Sequence, residues 1–353
     1  GASLTALPAA QVTGTLPAIS GANLTNLPAA NLTGTLPAIS GANLTGIAAT
    51  DNVRTGILDV AGIATFRNDV NVGTAVTITE SGIEATGVGI TCANINGTQI
   101  GGRRNIIING AMKVAQRGTS FASLGSEYTV DRFRYTENID SGVVTVTQES
   151  VTDLAGFTKA VKINCTTAET GVPAKAGSKF AALNTKLEGQ DLQQLAYGTS
   201  GAKQITISFY VKSNITGTFC LSLYKGDQTD RNVSLGYTIS SANTWEKKEL
   251  TFPADTGGGG IDNDNGSGLE LYWIVARQQG YQGTASTTWG DNADPRFANL
   301  CTATIFENTN DHIMFTGVQL EVGSQATPFE HRSMGEELAL CQRYYFKLGK
   351  LDY

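Results

Sequence analysis

The chain has 353 residues and a formal net charge of −6, with 16% charged residues, 41% hydrophobic residues and 41 glycines. An acidic balance with no long basic run argues against nucleic-acid binding through phosphates. No stretch approaches the about twenty consecutive apolar residues of a membrane-spanning helix. The length allows two or three domains, and the texture, rich in Gly, Thr, Ser and Asn, predicts an all-β protein.

Residues 1–50 are a repeat. Residues 21–40 restate 1–20 with Ser3, Ala6, Gln11 and Val12 replaced by Asn23, Asn26, Asn31 and Leu32. Leu-Pro-Ala recurs at Leu7, Leu16, Leu27 and Leu36, with a degenerate copy at Ile47-Ala48-Ala49. Proline inside each unit excludes a regular helix and a central antiparallel strand, and it forces the preceding residue to extended geometry. The unit therefore reads as short extended pieces joined by turns at Gly and Asn. So slender a unit cannot cover its own leucines; stacked copies or sister chains must do so. The copies are few for a single-chain solenoid. The expectation is an intertwined β-rich shaft, with Leu24, Leu27, Leu32 and Leu36 at the interface between chains.

Residues 51–102 change grammar but stay thin. "GILDVAGIATF" and "GTAVTITESGIEATGVGITCANINGTQIGG" alternate β-branched residues loosely between closely spaced glycines. They read as more shaft, then a neck at Gly101-Gly102.

From Arg103 the pattern becomes globular. Predicted strands are "NIIING", "YTVDRFRYT", "SGVVTVTQES", "TKAVKINCTT", "KQITISFYVKS", "GTFCLSLYKG", "SLGYTISS", "TWEKKELTFP", "GLELYWIVA", "TATIF" and "IMFTGVQLEVG". In the fifth, Ile205, Ile207, Phe209 and Val211 share one face. Strands of this kind separated by turn signals over residues 103–332 predict an antiparallel two-sheet sandwich of jelly-roll type. "GQDLQQLAYG" fits a short helix or an extended connection. Trp245 and Trp273 sit in apolar strands and read as core.

Residues 333–353 read as a terminal helix. Ser333 and Glu336 match a capping box, and Leu338, Cys341, Tyr345 and Leu348 fall on one face. That face packs either on its own sandwich or on symmetry mates; Leu338, Cys341 and Tyr345 are the candidate interface residues.

Chemistry-bearing patterns are sparse. The histidines are His312 and His331, with no serine in a nucleophile elbow, no phosphate-binding glycine motif and no ligand set. The cysteines stand at 92, 165, 220, 301 and 341 without a Cys-x-x-Cys spacing. They read as reduced, buried thiols rather than zinc ligands or a disulfide framework. The expectation is no enzyme and no cofactor. "GGGGIDNDNGSG" at 257–268 offers Asp262, Asp264 and Asn265 as oxygen ligands for Ca²⁺, although no twelfth-position glutamate follows; a plain glycine-rich loop is the alternative. "RQQGYQGTASTTWGDNADPRF" at 277–297 is a long polar loop with Tyr281, Trp289, Asn292 and Asp294. Aromatic faces beside amides and carboxylates are what sugar binding uses, the ring covering C–H groups and the polar groups meeting hydroxyls. Alternatively, Trp289 anchors the loop to its own sheet.

"NIIINGAMKVAQRGTSF", "YTVDRFRY", "ITISFYVKS", "TWEKKELTF" and "FTGVQLEVGSQATPFEHRSMGEELALCQRYY" together resemble the distal globular domain of bacteriophage fibres, a domain similar to carbohydrate-binding jelly rolls. "LPAISGANLTNL" and "LDVAGIATFRNDV" resemble the fibre shafts of marine and cyanobacterial phages. The resemblance implies a homotrimer in the virion, joined to other virion proteins and attached to host polysaccharide or lipopolysaccharide. It carries over no catalytic or sugar-contact residue. Two rival readings stay open: a capsid- or neck-decorating fibre with a structural role, and a polysaccharide-degrading tailspike.

Overall fold

The computed structural model describes residues 103–122, 125–281 and 286–347, together with the backbone of short strands between 70 and 99. The chain divides into two units, Gly1–Val88 and Gly89–Tyr353. In the first, β1 (Val70–Val72), β2 (Val76–Thr79) and β3 (Gly82–Ala85) form an antiparallel meander in that order. The repeat, with Leu24, Leu27, Leu32 and Leu36, lies outside the described residues. In the second unit, β4 (Asn94–Ile95) and β5 (Thr98–Gln99) pair antiparallel, Ile95 opposite Thr98.

Thirteen further strands build two antiparallel sheets. In chain order they are β6 (Ser120–Ala122), β7 (Glu127–Tyr128), β8 (Phe133–Glu137), β9 (Val143–Ser150), β10 (Lys159–Thr167), β11 (Phe180–Glu188), β12 (Ile205–Ser213), β13 (Gly217–Lys225), β14 (Arg231–Ile239), β15 (Glu246–Phe252), β16 (Ser267–Arg277), β17 (Gly290–Asp291) and β18 (His312–Val322). The six-stranded sheet runs β15-β12-β18-β10-β9-β6 and the seven-stranded sheet β17-β14-β13-β16-β11-β8-β7. The chain changes sheet at most connections, which is jelly-roll wiring and yields the expected sandwich. Ile205, Ile207, Phe209 and Val211 of β12 are all fully buried, as their alternation predicts. Trp273 fills the middle of the core, with Phe209 at 5.8 Å and Phe315 at 6.3 Å between ring centroids. Cys165, Cys220, Cys301 and Cys341 are buried and unpaired by disulfides.

Several expectations are corrected. "NIIING" is not a strand. Ile106 N–H donates to Leu320 O at 3.0 Å, and Asn105 bridges Val318 O and Leu320 N–H with its side chain. Gly110 then approaches β18 so closely that a Cβ would lie 2.0 Å from Val318 O. "TATIF" is irregular too; Thr302 and Ala303 N–H both reach Thr218 O at 2.9 Å. β11 (FAALNTKLE), near the centre of its sheet, carries little alternation because it is covered on both faces. Trp245 is not core: it is half-buried, its Nε1 donates to Asp153 Oδ1 at 2.9 Å, and Lys212 lies 5.9 Å from its ring.

The terminal helix α2 runs from Met334 to Gln342. Ser333 accepts from Glu336 N–H at 3.2 Å, so half of the capping box forms; the Glu336 carboxylate pairs with Arg103 instead. The buried face is Glu337 and Cys341, one turn apart, rather than Leu338, Cys341, Tyr345 and Leu348. Glu337 is drawn inward because its Oε1 accepts from the buried Asn109 N–H at 2.5 Å. Leu338 is half-buried, Tyr345 lies beyond the helix with its carbonyl accepting from Gln116 Nε2 at 2.9 Å, and Leu348 is outside the described residues.

Candidate functional site

Residues opposite one another in an antiparallel sheet point to the same side. The row Tyr135–Leu183–Trp273–Leu221–Leu235 faces the core. The neighbouring rows, Arg134–Asn184–Tyr272–Ser222–Ser234 and Lys186–Glu270–Tyr224–Asn232, must therefore face outward from the seven-stranded sheet. An outward face carrying two tyrosines and several hydrogen-bonding groups is the polar-aromatic surface of this domain.

The loop after β16 is laid across that face and fastened by it. Ser222 and Ser234 both donate to Phe297 O, and Ser234 also reaches Arg296 O at 3.0 Å. Asn232 Nδ2 donates to Asn292 Oδ1 at 2.6 Å and to Ala293 O at 3.3 Å. These bonds explain why hydroxyl and amide side chains occupy sheet positions that end up buried. The loop's short helix α1 (Asp294–Phe297) brings the Phe297 ring back against the sheet. That ring lies 5.0 Å from Tyr272, 5.2 Å from Phe180 and 6.0 Å from Tyr281.

Beside these rings is a cavity of about 170 Å³, lined by Phe180, Tyr224, Tyr272, Tyr281, Asn292, Asp294 and Phe297. Its hydroxyls are held as donors. Burial, followed by the Asp294 charge, pushes Tyr281 up to about 12. Burial, followed by Glu270, raises Tyr272, whose hydroxyl donates to Glu270 Oε2 at 2.5 Å. Burial and a hydrogen bond to Asp230 raise Tyr224. Glu270 is itself occupied, taking Lys186 Nζ at 2.7 Å and Ser267 Oγ at 3.2 Å on its other oxygen. Chemically, the cavity presents flat apolar walls with hydroxyl and amide groups and the Asp294 side chain at the rim.

Tyr281, Asn292 and Asp294 thus line one cavity, and Trp289 does not. Its Nε1 donates to Pro253 O at 2.8 Å and its ring meets Tyr197 edge-on at 5.7 Å, so it holds the loop to the scaffold. Phe180, Tyr224, Tyr272 and Phe297 were not singled out from the sequence. Strand parity carried the signal for two of them: Tyr224 and Tyr272 stand out of phase with the core-facing Leu221, Leu223, Leu271 and Trp273.

Asp262, Asp264 and Asn265 do not converge. Asp262 Oδ1 accepts from Gln228 Nε2 at 2.9 Å, Asp264 Oδ1 accepts from Gly266 N–H at 2.8 Å, and Asn265 lines a separate cavity. Among the described residues no three His, Cys, Asp or Glu side chains group as a metal site.

No protein-family model and no curated protein matches the chain. Solved structures do. One is the enzymatically active domain of tailspike protein 4 of bacteriophage CBA120, at 13% identity and a TM-score of 0.34, covering 62% of this chain and 21% of that one. The match therefore spans about a fifth of the tailspike chain. Another is the family 11 carbohydrate-binding module of a cellulosomal cellulase of Clostridium thermocellum, at 12% identity and a TM-score of 0.30, covering 58% of this chain and 99% of that one. A third is the xylan-binding CBM22-1 domain of Paenibacillus barcinonensis, at 12% identity and a TM-score of 0.27, covering 59% and 94%.

Proposed function

We propose that the chain is a bacteriophage fibre protein whose sandwich head binds a host-surface glycan, one sugar ring seating in the aromatic cavity over the seven-stranded sheet. The observation that supports this reading is the cavity lining. Tyr224, Tyr272, Tyr281 and Phe297 supply flat faces for C–H groups, and Asn292, Asp294 and the tyrosine hydroxyls supply donors and acceptors for hydroxyls. In this reading the protein is a homotrimer in the virion, held to other virion proteins through its N-terminal end. It binds host polysaccharide or lipopolysaccharide without cleaving it. Three weak sites on one stalk then act together, raising avidity roughly 10²–10⁴-fold over a single head.

The test is binding of the full chain to arrayed neutral and host-derived glycans, beside Tyr272→Ala and Tyr224→Ala. Each substitution removes a wall of the cavity and is expected to weaken binding about tenfold or more, with circular dichroism unchanged. Undiminished binding in both variants rules out this cavity as the glycan site.

A further inference from the structure

The head carries a second aromatic-lined space, separate from the cavity described above, in which a cation has no counter-charge. Two adjoining cavities, of about 130 and 150 Å³, share Arg132 and Tyr344 as a common wall. Arg132 is 8% exposed. Its guanidinium lies 3.4 Å from the centre of the Tyr344 ring, Nη2 donates to Lys186 O, and Nε has no hydrogen-bond partner. Three neighbouring cations are matched by carboxylates. Arg117 meets Asp131 at 3.4 Å, Lys186 meets Glu270 at 2.7 Å and Arg343 meets Glu188 at 2.7 Å. Asp131 is further committed to Gln116, through its backbone and side-chain N–H groups. Arg132 itself has no carboxylate in salt-bridge range among the described residues.

The backbone makes the choice of residue more telling. Arg132 sits at φ +72°, in the left-handed region where glycine or asparagine costs least. The turn between β7 and β8 tolerates that cost at a residue whose side chain fails to complete its own bonding. A buried cation with unfilled hydrogen-bonding capacity is expensive unless something supplies the anion. The surroundings say what kind of anion fits. Tyr128 and Tyr345 flank Arg117 at 5.2 and 3.7 Å, and Tyr344 backs Arg132, so the space has flat aromatic walls as well as charge. Guanidinium edges match carboxylates in plane.

We infer that this Arg132–Tyr344 site binds an acidic sugar residue through its carboxylate. The inference rests on the proposed glycan-binding role and adds a charge-selective subsite to it. A host glycan carrying both neutral and uronic-acid residues would engage the two regions by different chemistry, stacking at Tyr272 and ion pairing at Arg132.

The experiment titrates the full chain by calorimetry with glucuronate, glucuronamide, glucose and inorganic phosphate, then repeats the glucuronate titration with Arg132→Gln and with Tyr272→Ala. Glucuronate is expected to bind about tenfold or more tightly than glucuronamide and glucose, which differ from it at the carboxylate. Arg132→Gln is expected to abolish that preference and Tyr272→Ala to leave it intact. The glucuronamide comparison uses the unaltered chain, so it stands even if Arg132→Gln folds poorly. Equal binding of glucuronate and glucuronamide overturns the inference, as does phosphate binding as tightly as glucuronate. Neutral-glycan binding lost in Tyr272→Ala but kept in Arg132→Gln would sustain the first cavity whatever happens here. Carboxylate-selective binding at Arg132 without any neutral-glycan binding would sustain this site and remove the other.

Discussion

Replacing Asp255 with asparagine is expected to destabilise the head sharply, because one carboxylate neutralises two cations and organises the segment that holds the 277–297 loop. Asp255 and Lys225 are both fully buried, with Lys225 Nζ 3.0 Å from Asp255 Oδ2. Arg231 reaches Oδ1 through Nη2 at 3.0 Å and through Nε at 3.0 Å. Lys225 also donates to Gly259 O at 2.6 Å, and Asp255 O accepts from Gly198 N–H at 2.8 Å. The glycines there are required by conformation: Gly258 and Gly259 have φ of +67° and +77°. Pro253, two residues before Asp255, accepts the Trp289 indole N–H.

Asp255→Asn keeps the shape and one acceptor but leaves an ammonium buried in the core without its counter-charge. Breaking a buried pair from one side costs about 3–5 kcal/mol. At about 2–4 °C per kcal/mol for a domain of this size, the midpoint should fall by roughly 10 °C. Lys225→Met should cost clearly less, because Asp255 keeps its paired bonds to Arg231. Thermal and urea unfolding of the full chain, followed by near-ultraviolet circular dichroism, measure both. A shift below about 3 °C for Asp255→Asn, or an equal loss for Lys225→Met, would show that the carboxylate is not the organising charge.

Trp289→Ala should lower the unfolding midpoint, since the indole anchors the loop; an unchanged midpoint with lost glycan binding would mean that Trp289 touches sugar directly. Glu137 is raised from 4.5 to about 7 by burial, with Glu169 adding to the rise and the Tyr135 hydroxyl opposing it. Its folded state holds the proton more tightly than its unfolded state, so its stabilising contribution is full below about pH 4.5 and is lost as pH rises through 7. Glu137→Gln should therefore raise the midpoint relative to the parent at pH 8 and leave it unchanged near pH 4; the same difference at both pH values would refute that assignment. An isolated head from residue 103 onward should bind a surface-displayed glycan roughly 10²–10⁴-fold more weakly than the full chain, and equal affinity would end the multivalent reading.

Much of the head was legible because its strands obey parity. β12 alternates so cleanly that four core residues follow from spacing alone, and the turn signals at both ends of β13 and β14 bound them well. β11 was hidden for a physical reason. Its Asn184 and Thr185 are buried by bonding to Leu271 O and Arg132 O, so the strand mixes polar and apolar residues on a period that belongs to its neighbours. The site divides the same way. Tyr281, Asn292 and Asp294 were visible as an unusual loop, whereas Phe180 and Tyr224 join them only through a sheet register that no local window contains. Trp245 failed as a core residue because it stands just before β15, where alternation no longer fixes a face.

Residues 330–337, within the block that resembles phage fibres, close the head against its entry segment. Residues 103–109 enter without a strand of their own, so their backbone groups need other partners. Glu330 accepts from Arg104 and Asn105 N–H, both at 2.8 Å. Arg332 donates to Ile107 O at 2.9 Å and to Asn105 O, and Glu337 accepts from Asn109 N–H. Charged side chains near the end of the described chain thus substitute for a missing strand at its start. Those residues answer to the architecture. On the 277–297 loop, bonds from Ser222, Ser234 and Asn232 to the carbonyls of Ala293, Arg296 and Phe297 hold the backbone beside the cavity. On the glycan-binding proposal, ligand choice would rest on Tyr224, Tyr272, Tyr281, Asn292 and Asp294, not on the charged residues that close the head.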